Sequence, residues 1–433
     1  MALEGVRRRV RGSWAARARG LTLLLALMAA PVCAWAGPAA KADLSRLVVV
    51  GDSLSAGFQN GSLLAAQQPH GYASLVAAQA GVELPLPLIA APGIPNVLTL
   101  VDPGPPPVIA PAPGASTGRL DPFVQTMNLA VPGATVQDAL TTRPDFLFDD
   151  LTDLVLGLPG LFGGIARSQV EWAEGLAPTA ILVWIGNNDA LGAALAGDAA
   201  LLTPAADFEA AYGEVLDRLA ATGATLVVAN IPDVTVIPFL TSAEDVAALV
   251  GLPLAALGPL LGIGPGDFVT PDAFGLIGAI LWGFITGPLP GNVVLDAAEV
   301  AAIRAAIADF NAVIAAQAEA KGAALVDIHG FLERTRARGI VVGGQRLTTG
   351  YLGGLFSLDG IHPTNTGYAV IANEFIEALD RHFAAGIPPV TVREIQWADP
   401  LVLPGVGHPA SAFEHVGAET VDALRAVLVR RPR

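Results

Sequence analysis

The feature that most restricts the fold is a repeated order of short apolar runs and helix-like segments. Five runs predict strands, at Arg46–Val50, Val124–Ala130, Thr179–Ile185, Ala224–Ile231 and Ala324–Ile328. Continuous apolar strands that alternate with helices indicate a parallel sheet with helices on both faces. We therefore predict an α/β fold, a single three-layer α/β/α domain with a mostly parallel, five-stranded, flavodoxin-like sheet.

The predicted helices lie between these strands. Apolar residues at helical spacing predict helices at Gly71–Gly81, Pro204–Gly223 and Asn365–Phe383. Asp296 and Gly322 are placed to begin and end a long Ala-rich helix. The segment 388–433 follows the last predicted helix, and we interpret it as a C-terminal appendage to a domain of residues 37–387.

Two segments interrupt the alternation of strands and helices. The first, residues 85–117, is rich in proline, with ten prolines from Pro85 to Pro113. Proline does not suit central strands or helix interiors, so we predict a long surface loop there. The second is an apolar insertion at residues 237–295.

The insertion contains the runs VAALVGLPLAALGPLLGI (246–263) and AFGLIGAILWGFI (273–285). A membrane span requires about 20 consecutive apolar residues; the second run is shorter and prolines interrupt the first, so no stable span is expected. Two interpretations stay open. The runs form short helices that complete the core, or they form a cap or groove for an acyl chain near the sheet edge.

The N-terminal residues 1–36 predict a signal peptide. Six arginines precede an apolar run from Leu21 to Ala36 that ends in Ala34-Trp35-Ala36. We expect cleavage after Ala36, with Ala40-Lys41-Ala42 as a second candidate, and export to the periplasm or the medium. A membrane anchor is the alternative, although the run is short for a span and contains Pro31.

Charge and cysteine content exclude several classes of function. Without residues 1–36 the chain keeps 18 of its 24 Lys and Arg and 38 of its 39 Asp and Glu, a formal net charge of −20. Such a chain repels phosphate backbones, so we expect no nucleic-acid partner. The one cysteine, Cys33, lies in the predicted signal peptide, so disulfide or thiol chemistry is not expected in the processed chain.

Four short motifs follow the predicted strands or precede the last helix. They are Gly51-Asp52-Ser53-Leu54, Asn128–Gly133, Gly186-Asn187-Asn188-Asp189 and Asp359-Gly360-Ile361-His362-Pro363. Ser53 alone is compatible with a helix cap. Ligand sites in parallel sheets lie beyond the carboxyl ends of the strands, however, and the first three motifs occur there.

In these motifs the chain resembles the SGNH hydrolases, also called GDSL esterases and lipases, from about Leu47 to Phe383. The resemblance implies that Ser53 is the nucleophile, His362 the general base and Asp359 its orienting carboxylate. It also implies an oxyanion hole formed by the Ser53 and Gly133 N–H groups and the Asn188 side chain. Asn187 is the alternative amide, and spacing from Gly186 favours Asn188.

The chemistry agrees with these implied roles. A serine hydroxyl is a weak nucleophile until a base takes its proton, and imidazole suits that task near neutral pH. The reaction requires neither a metal nor a cofactor, and no His or Cys spacing suggests zinc. We interpret Asp149-Asp150 as a solvated turn, and Asp327 and His329 as a structural pair on one face of a strand.

The sequence therefore predicts an exported serine esterase or lipase that hydrolyses carboxylic esters through an acyl-serine intermediate. The aliphatic extra segments favour a lipid-like substrate with a medium or long acyl chain. Two alternatives stay open, a carbohydrate O-deacetylase of the same fold and a catalytically idle surface-binding protein. The sequence leaves the oligomeric state undetermined.

Overall fold

The computed structural model describes residues 41–102, 108–147, 150–157, 166–402 and 426–428. The predicted signal peptide lies outside these ranges. So do residues 103–107 of the predicted Pro-rich loop, Asp149, and residues 403–425 and 429–433 of the predicted appendage.

The strands of the described residues fall into one parallel sheet and three small antiparallel sheets. They are β1 (Leu47–Gly51), β2 (Leu98–Asp102), β3 (Val108–Pro111), β4 (Ala180–Trp184), β5 (Thr225–Ala229), β6 (Thr241–Ser242), β7 (Phe268–Val269), β8 (Val294–Leu295), β9 (Ala324–Val326), β10 (Ile340–Val342) and β11 (Gln345–Leu347).

The α-helices of the described residues include the three predicted from apolar spacing and the Ala-rich helix. They are α1 (Ser53–Ala56), α2 (Tyr72–Ala80), α3 (Val136–Thr141), α4 (Leu151–Leu156), α5 (Gln169–Gly175), α6 (Asn188–Ala196), α7 (Ala205–Ala220), α8 (Ala243–Val250), α9 (Leu254–Leu261), α10 (Ala273–Leu281), α11 (Ala297–Lys321), α12 (Ile328–Arg338), α13 (Asn365–Phe383) and α14 (Val392–Ala398).

The central sheet has the order β1-β4-β5-β9, and all of its strands are parallel. Alternate residues of each strand enter different hydrophobic clusters, because successive side chains point to opposite faces. Val48 and Val50 belong to the cluster that also contains residues of α7 and α11, and Leu47 and Val49 to the cluster that contains residues of α2 and α13. The predicted three-layer α/β/α arrangement is confirmed.

The prediction of a fifth parallel strand is wrong. Residues Val124–Ala130 contribute one parallel bridge, between Asn128 and Val49, at the edge of the sheet beyond β1. The N–H groups of Met127 and Asn128 both point to the carbonyl oxygen of Pro85, at 2.9 and 3.4 Å. The segment also bonds to β1, because the Val49 N–H donates to the Met127 carbonyl oxygen and the Leu129 N–H to the Val49 carbonyl oxygen, both at 2.9 Å. The next donor of β1, the Gly51 N–H, donates instead to Oε1 of Gln169 at 2.9 Å, and the sheet has four strands.

The Pro-rich segment 85–117 is not a loop throughout. Its strands β2 and β3 pair antiparallel, with Leu98 opposite Pro111. Both strands of a two-stranded sheet are edge strands, and a residue without an N–H is tolerated in an edge strand. The compositional argument excluded a central strand, but it did not exclude this hairpin.

The insertion 237–295 folds around a hydrophobic cluster of its own. Helices α8, α9 and α10 enclose it together with the small sheet β6-β7-β8. Its members include Val246, Leu257, Leu261, Ile277 and Ile280, all buried and separate from the two clusters beside the central sheet. The buried side chains of these helices therefore form a core of their own, and Phe274 of α10 packs against both this cluster and the main one.

The sequence predicts that no stable membrane span forms in this insertion. No single helix of the described residues is both long enough and apolar enough to cross a membrane. Helices α8 and α9 reach that length and composition only as a pair, with a bend of 107° between them.

The described start of the predicted appendage packs against the domain. Asp399, which follows α14, is buried, and its Oδ2 accepts hydrogen bonds from the N–H and the hydroxyl of Thr366, both at 2.8 Å. Thr366 lies in the first turn of α13, where a carboxylate is stabilised by the helix dipole.

Candidate active site

Ser53 lies at the carboxyl end of β1, where the chain turns into the short helix α1. Asp52 caps this helix, because its carboxylate accepts a hydrogen bond from the Leu54 N–H at 3.0 Å. The alternative in which the Ser53 hydroxyl is the cap is therefore wrong. The Ser53 Oγ lies instead 2.8 Å from Nε2 of His362, and Ser53 is only 3% exposed.

His362 connects Ser53 to a carboxylate. Its Nδ1 lies 3.0 Å from Oδ2 of Asp359, and both residues are fully buried. With the proton on Nδ1, the neutral ring donates to Asp359 and accepts from the Ser53 hydroxyl. Burial alone would raise the pKa of Asp359. The charge of His362 and its hydrogen bonds to the carboxylate lower this pKa by a larger amount, so it lies below its usual range.

Backbone N–H groups also orient the Asp359 carboxylate. Its Oδ1 accepts from Ile361 at 2.9 Å and from His362 at 2.8 Å. Its Oδ2 accepts from the N–H of Gly61 at 2.7 Å. These bonds hold the carboxylate in a single orientation toward the imidazole.

Gly61 belongs to a turn that the sequence analysis missed. Its neighbour Asn60 donates its N–H to Ser357 Oγ at 2.9 Å and accepts the Leu358 N–H at 3.0 Å. Asn60 and Gly61 have φ values of 52° and 69°, in the left-handed region that these residue types tolerate best. The Asn-Gly pair is a recognisable turn signal, but no local pattern indicates that it contacts a loop about 300 residues later.

Gly133 and Ser53 each supply a free backbone donor in the cluster. The N–H groups of Gly133 and Ser53 have no hydrogen-bond acceptor among the described residues. Gly133 has a φ of 80°, and a Cβ at this position would collide with the carbonyl oxygen of Val427. Val427 and the buried Leu428 thus pack directly over this glycine.

The two neighbouring asparagines have different partners. Asn188 donates from Nδ2 to the carbonyl oxygen of Ala134 at 2.9 Å, and therefore lies beside the Gly133 turn. Asn187 donates from Nδ2 to Oδ2 of Asp52 at 2.8 Å. The structure thus brings Asn188, rather than Asn187, to the turn that carries the free Gly133 N–H.

Asp327 and His329 do not form the strand pair that the sequence suggested. β9 ends at Val326 and α12 begins at Ile328, so side-chain alternation along a strand does not apply. Asp327 accepts from Nδ2 of Asn230 at 2.9 Å, and Nδ1 of His329 lies 3.0 Å from the Ile231 carbonyl oxygen.

A cavity of about 310 Å³ beside His329 and Asp233 is lined by none of the predicted site residues. In the ranges given above, no group of three or more His, Cys, Asp or Glu side chains is placed to hold a metal ion.

A family model described as GDSL-like lipase/acylhydrolase matches residues 47–375, more than half of the chain. The chain belongs to this family. The matched range contains Ser53, Gly133, Asn188, Asp359 and His362, and the resemblance to SGNH hydrolases is confirmed. Membership makes the protein a GDSL-family ester hydrolase.

Solved structures match the chain at low sequence identity, with TM-scores below 0.5. LAE5, an alpha/beta hydrolase from the metagenome of Lake Arreo, is 16% identical, with 78% of this chain and 96% of LAE5 covered and a TM-score of 0.37. The psychrotrophic esterase EstA from Pseudoalteromonas sp. is 13% identical (78% and 97% covered, TM-score 0.33). A variant of Axe2, an acetyl xylan esterase from Geobacillus stearothermophilus, is 12% identical (78% and 96%, 0.37). No curated protein sequence matches the chain.

Two further buried carboxylates, those of Asp52 and Asp189, belong to the motifs of the candidate active site. Burial raises the pKa of Asp52 to about 6, although Asn187 and Leu54 donate hydrogen bonds to it. Burial raises the pKa of Asp189 to about 7, although its Oδ2 accepts from the Val136 N–H at 3.0 Å. Asp189 thereby connects α6 to the start of α3, just after the Gly133 turn.

We expect Asp189→Asn to reduce the pH dependence of stability. The pKa of Asp189 rises from 3.8 in an unfolded chain to about 7 in the folded protein. The folded state therefore binds more protons between these values, and the free energy of unfolding falls as pH rises from about 4 to 7. At ~1.4 kcal/mol per pKa unit, the asparagine variant should remove up to ~4 kcal/mol of that fall.

Urea unfolding at pH 4.5, 6 and 8 measures this effect. Asp309→Asn, an exposed carboxylate on α11, is the matched control and should follow the unsubstituted protein. Identical pH profiles for Asp189→Asn and the unsubstituted protein would contradict the raised pKa.

Proposed function

We propose that this protein is a serine esterase that hydrolyses carboxylic esters through an acyl-serine intermediate. The observation that supports it is the buried series of contacts from Ser53 Oγ to His362 Nε2 at 2.8 Å and from His362 Nδ1 to Asp359 Oδ2 at 3.0 Å. A nucleophile, a base and an orienting carboxylate are thus in hydrogen-bond contact in the order that acyl transfer requires.

In the proposed reaction, Ser53 Oγ attacks the ester carbonyl carbon while its proton moves to Nε2 of His362. The resulting imidazolium is stabilised by the Asp359 carboxylate at Nδ1. When the tetrahedral intermediate collapses, Nε2 returns the proton to the alkoxide leaving group. A water molecule then loses a proton to Nε2 and attacks the acyl-serine, which releases the carboxylic acid and restores the Ser53 hydroxyl.

The negative oxygen of each tetrahedral intermediate requires donors that are in place before the reaction. The unpartnered N–H groups of Ser53 and Gly133 are two of them. We assign the third to the side-chain amide of Asn188, whose Nδ2 carries a second hydrogen besides the one directed at Ala134.

We expect Ser53→Ala and His362→Ala each to reduce kcat for a chromogenic ester by roughly 10⁴-fold or more, because each removes a group that takes part in bond formation. Asn188→Ala should reduce kcat by about 10²–10³-fold. The measurement is initial rates of purified variants whose thermal unfolding shows that they are folded.

Asn187→Ala is the matched control for Asn188→Ala, because both side chains are buried and each donates one hydrogen bond. A larger loss of kcat in Asn187→Ala would assign the oxyanion amide to Asn187 instead. A fully active Ser53→Ala variant would overturn the mechanism. Absence of ester turnover by the folded, unsubstituted protein would favour the idle surface-binding protein.

The neighbours of the proposed triad favour an apolar acyl group. The Phe58 ring centroid lies 4.7 Å from that of His362, and Phe58 is buried. Apolar side chains next to the reacting atoms favour hydrocarbon over sugar. We therefore propose medium or long acyl chains as substrates.

A series of water-soluble p-nitrophenyl esters from two to eight carbons tests this preference. A fully buried methylene is worth ~0.8 kcal/mol, so kcat/KM should rise with chain length by up to about fourfold per carbon. A maximum at the acetyl ester, together with turnover of acetylated xylan, would favour the carbohydrate O-deacetylase.

We also propose that the protein is exported, on the basis of the basic and apolar pattern of residues 1–36. Mass spectrometry of the protein from its native host should find Gly37 as the first residue, or a residue near Lys41 if the second cleavage site is used. A mature protein that retains Met1–Ala36 would instead favour the membrane anchor.

A further inference from the structure

The insertion 237–295 carries large apolar side chains that remain outside its own core. Trp282 and Phe284 are 80% and 81% exposed, and Leu260, Ile285 and Leu281 are 44%, 43% and 37% exposed. We call these five residues the apolar tip. Scattered exposed apolar residues are common on protein surfaces, but a contiguous group of this kind marks an interaction site.

The members of the apolar tip are held together by the backbone. Helix α10 ends at Leu281, and the N–H of Phe284 returns to the carbonyl oxygen of Ala279 at 2.9 Å. The end of α9 lies alongside this turn, because Leu289 donates to Leu261 at 2.8 Å and a Cβ on Gly287 would collide with the Leu260 carbonyl oxygen.

Buried side chains of the same helices hold these exposed side chains in place. Leu257, Leu261, Ile277 and Ile280 belong to the same two helices and are buried in the cluster of the insertion. The helices therefore direct one set of apolar residues inward and a second set outward. Exposure of the second set does not result from a loosely packed insertion.

The charge of the insertion limits the kinds of partner that it can bind. Between Val246 and Leu295 the charged residues are Asp267 and Asp272, and this stretch contains no Lys, Arg or His. The whole chain has a formal net charge of −15. An anionic membrane or an acidic protein would be repelled, so among lipid surfaces one without net charge is favoured over an anionic one.

The shape of the apolar tip indicates a fluid partner. Side chains that are about 80% exposed protrude from the surface, and a rigid protein would need matching pockets for them. A lipid surface accommodates protruding Trp and Phe side chains without such pockets, and Trp is the residue most typical of the boundary between headgroups and acyl chains.

We propose that the apolar tip docks the protein on a lipid surface without net charge. The insertion that carries it is anchored beside the proposed active site, because Phe239 donates its N–H to the carbonyl oxygen of Gly360 at 3.0 Å. Gly360 lies between Asp359 and His362. Docking at the tip therefore attaches the lipid surface to a segment whose first residues are bonded to the loop of the proposed general base.

Binding to phosphatidylcholine vesicles tests the proposal without any requirement for catalysis. The protein should co-sediment with the vesicles, and the double variant Trp282→Ser/Phe284→Ser should lose at least tenfold in partition coefficient. Trp397→Ser is the matched control, because Trp397 is 73% exposed but lies on α14, outside the insertion. This control should bind like the unsubstituted protein.

Three outcomes would overturn the proposal. They are no binding of the unsubstituted protein at millimolar lipid, equal binding by the double variant, and an equal loss in the Trp397→Ser control.

Sedimentation velocity without lipid provides a further test, because a dimer that the double variant abolishes would assign the apolar tip to a second copy of the chain. Anionic lipid in the vesicles should not strengthen binding, and a large increase would contradict the charge argument.

The double variant also separates docking from catalysis. Its kcat/KM for a soluble short-chain ester should match that of the unsubstituted protein, because the apolar tip contains none of the proposed catalytic residues. Thermal unfolding should also be unchanged, since the substituted side chains are about four-fifths exposed. An inactive but lipid-binding protein would contradict the proposed function and leave the docking proposal intact.

Discussion

The parallel pairing of β1 with β4 is the contact on which the arrangement of the site depends. Gly51 lies opposite Trp184 in this register, so the turns that carry Ser53 and Asn188 leave the sheet side by side. A shift of one residue would move every side chain of β1 to the other face, and both hydrophobic clusters would lose their contacts with the strand. The same burial that fixes the core therefore also fixes the position of the serine.

The motifs of the candidate site contain three buried carboxylates, those of Asp52, Asp189 and Asp359. Their environments shift their pKa values in different directions. Asp359 faces an imidazole and three backbone N–H groups, and its pKa is lowered. Asp52 and Asp189 accept hydrogen bonds from neutral donors only, and burial raises the pKa of each. The ionised state is thus favoured most at the carboxylate that is hydrogen-bonded to His362 and can stabilise an imidazolium there.

The sequence predicted those parts of the molecule that have a local signal. Four strands, the helices with apolar spacing and the cluster of five site residues could be predicted, because strand ends and short motifs identify them. The remaining features depend on contacts between distant segments. The Gln169 side chain accepts the Gly51 N–H that a fifth strand would need, and Asn60 and Gly61 support the Asp359 loop. No periodicity could distinguish a separate core in the insertion from an extension of the main one.

Ser53 and His362 are 309 positions apart in the sequence, and Gly61 contacts Asp359 across 298. The serine is therefore synthesised early, and its base and carboxylate follow only after most of the chain has left the ribosome. Contacts this distant form late, because the intervening sheet must be assembled first. On the proposed mechanism, the growing polypeptide has no hydrolytic activity against the esters of the cell that makes it, and activity arises only with the completed fold.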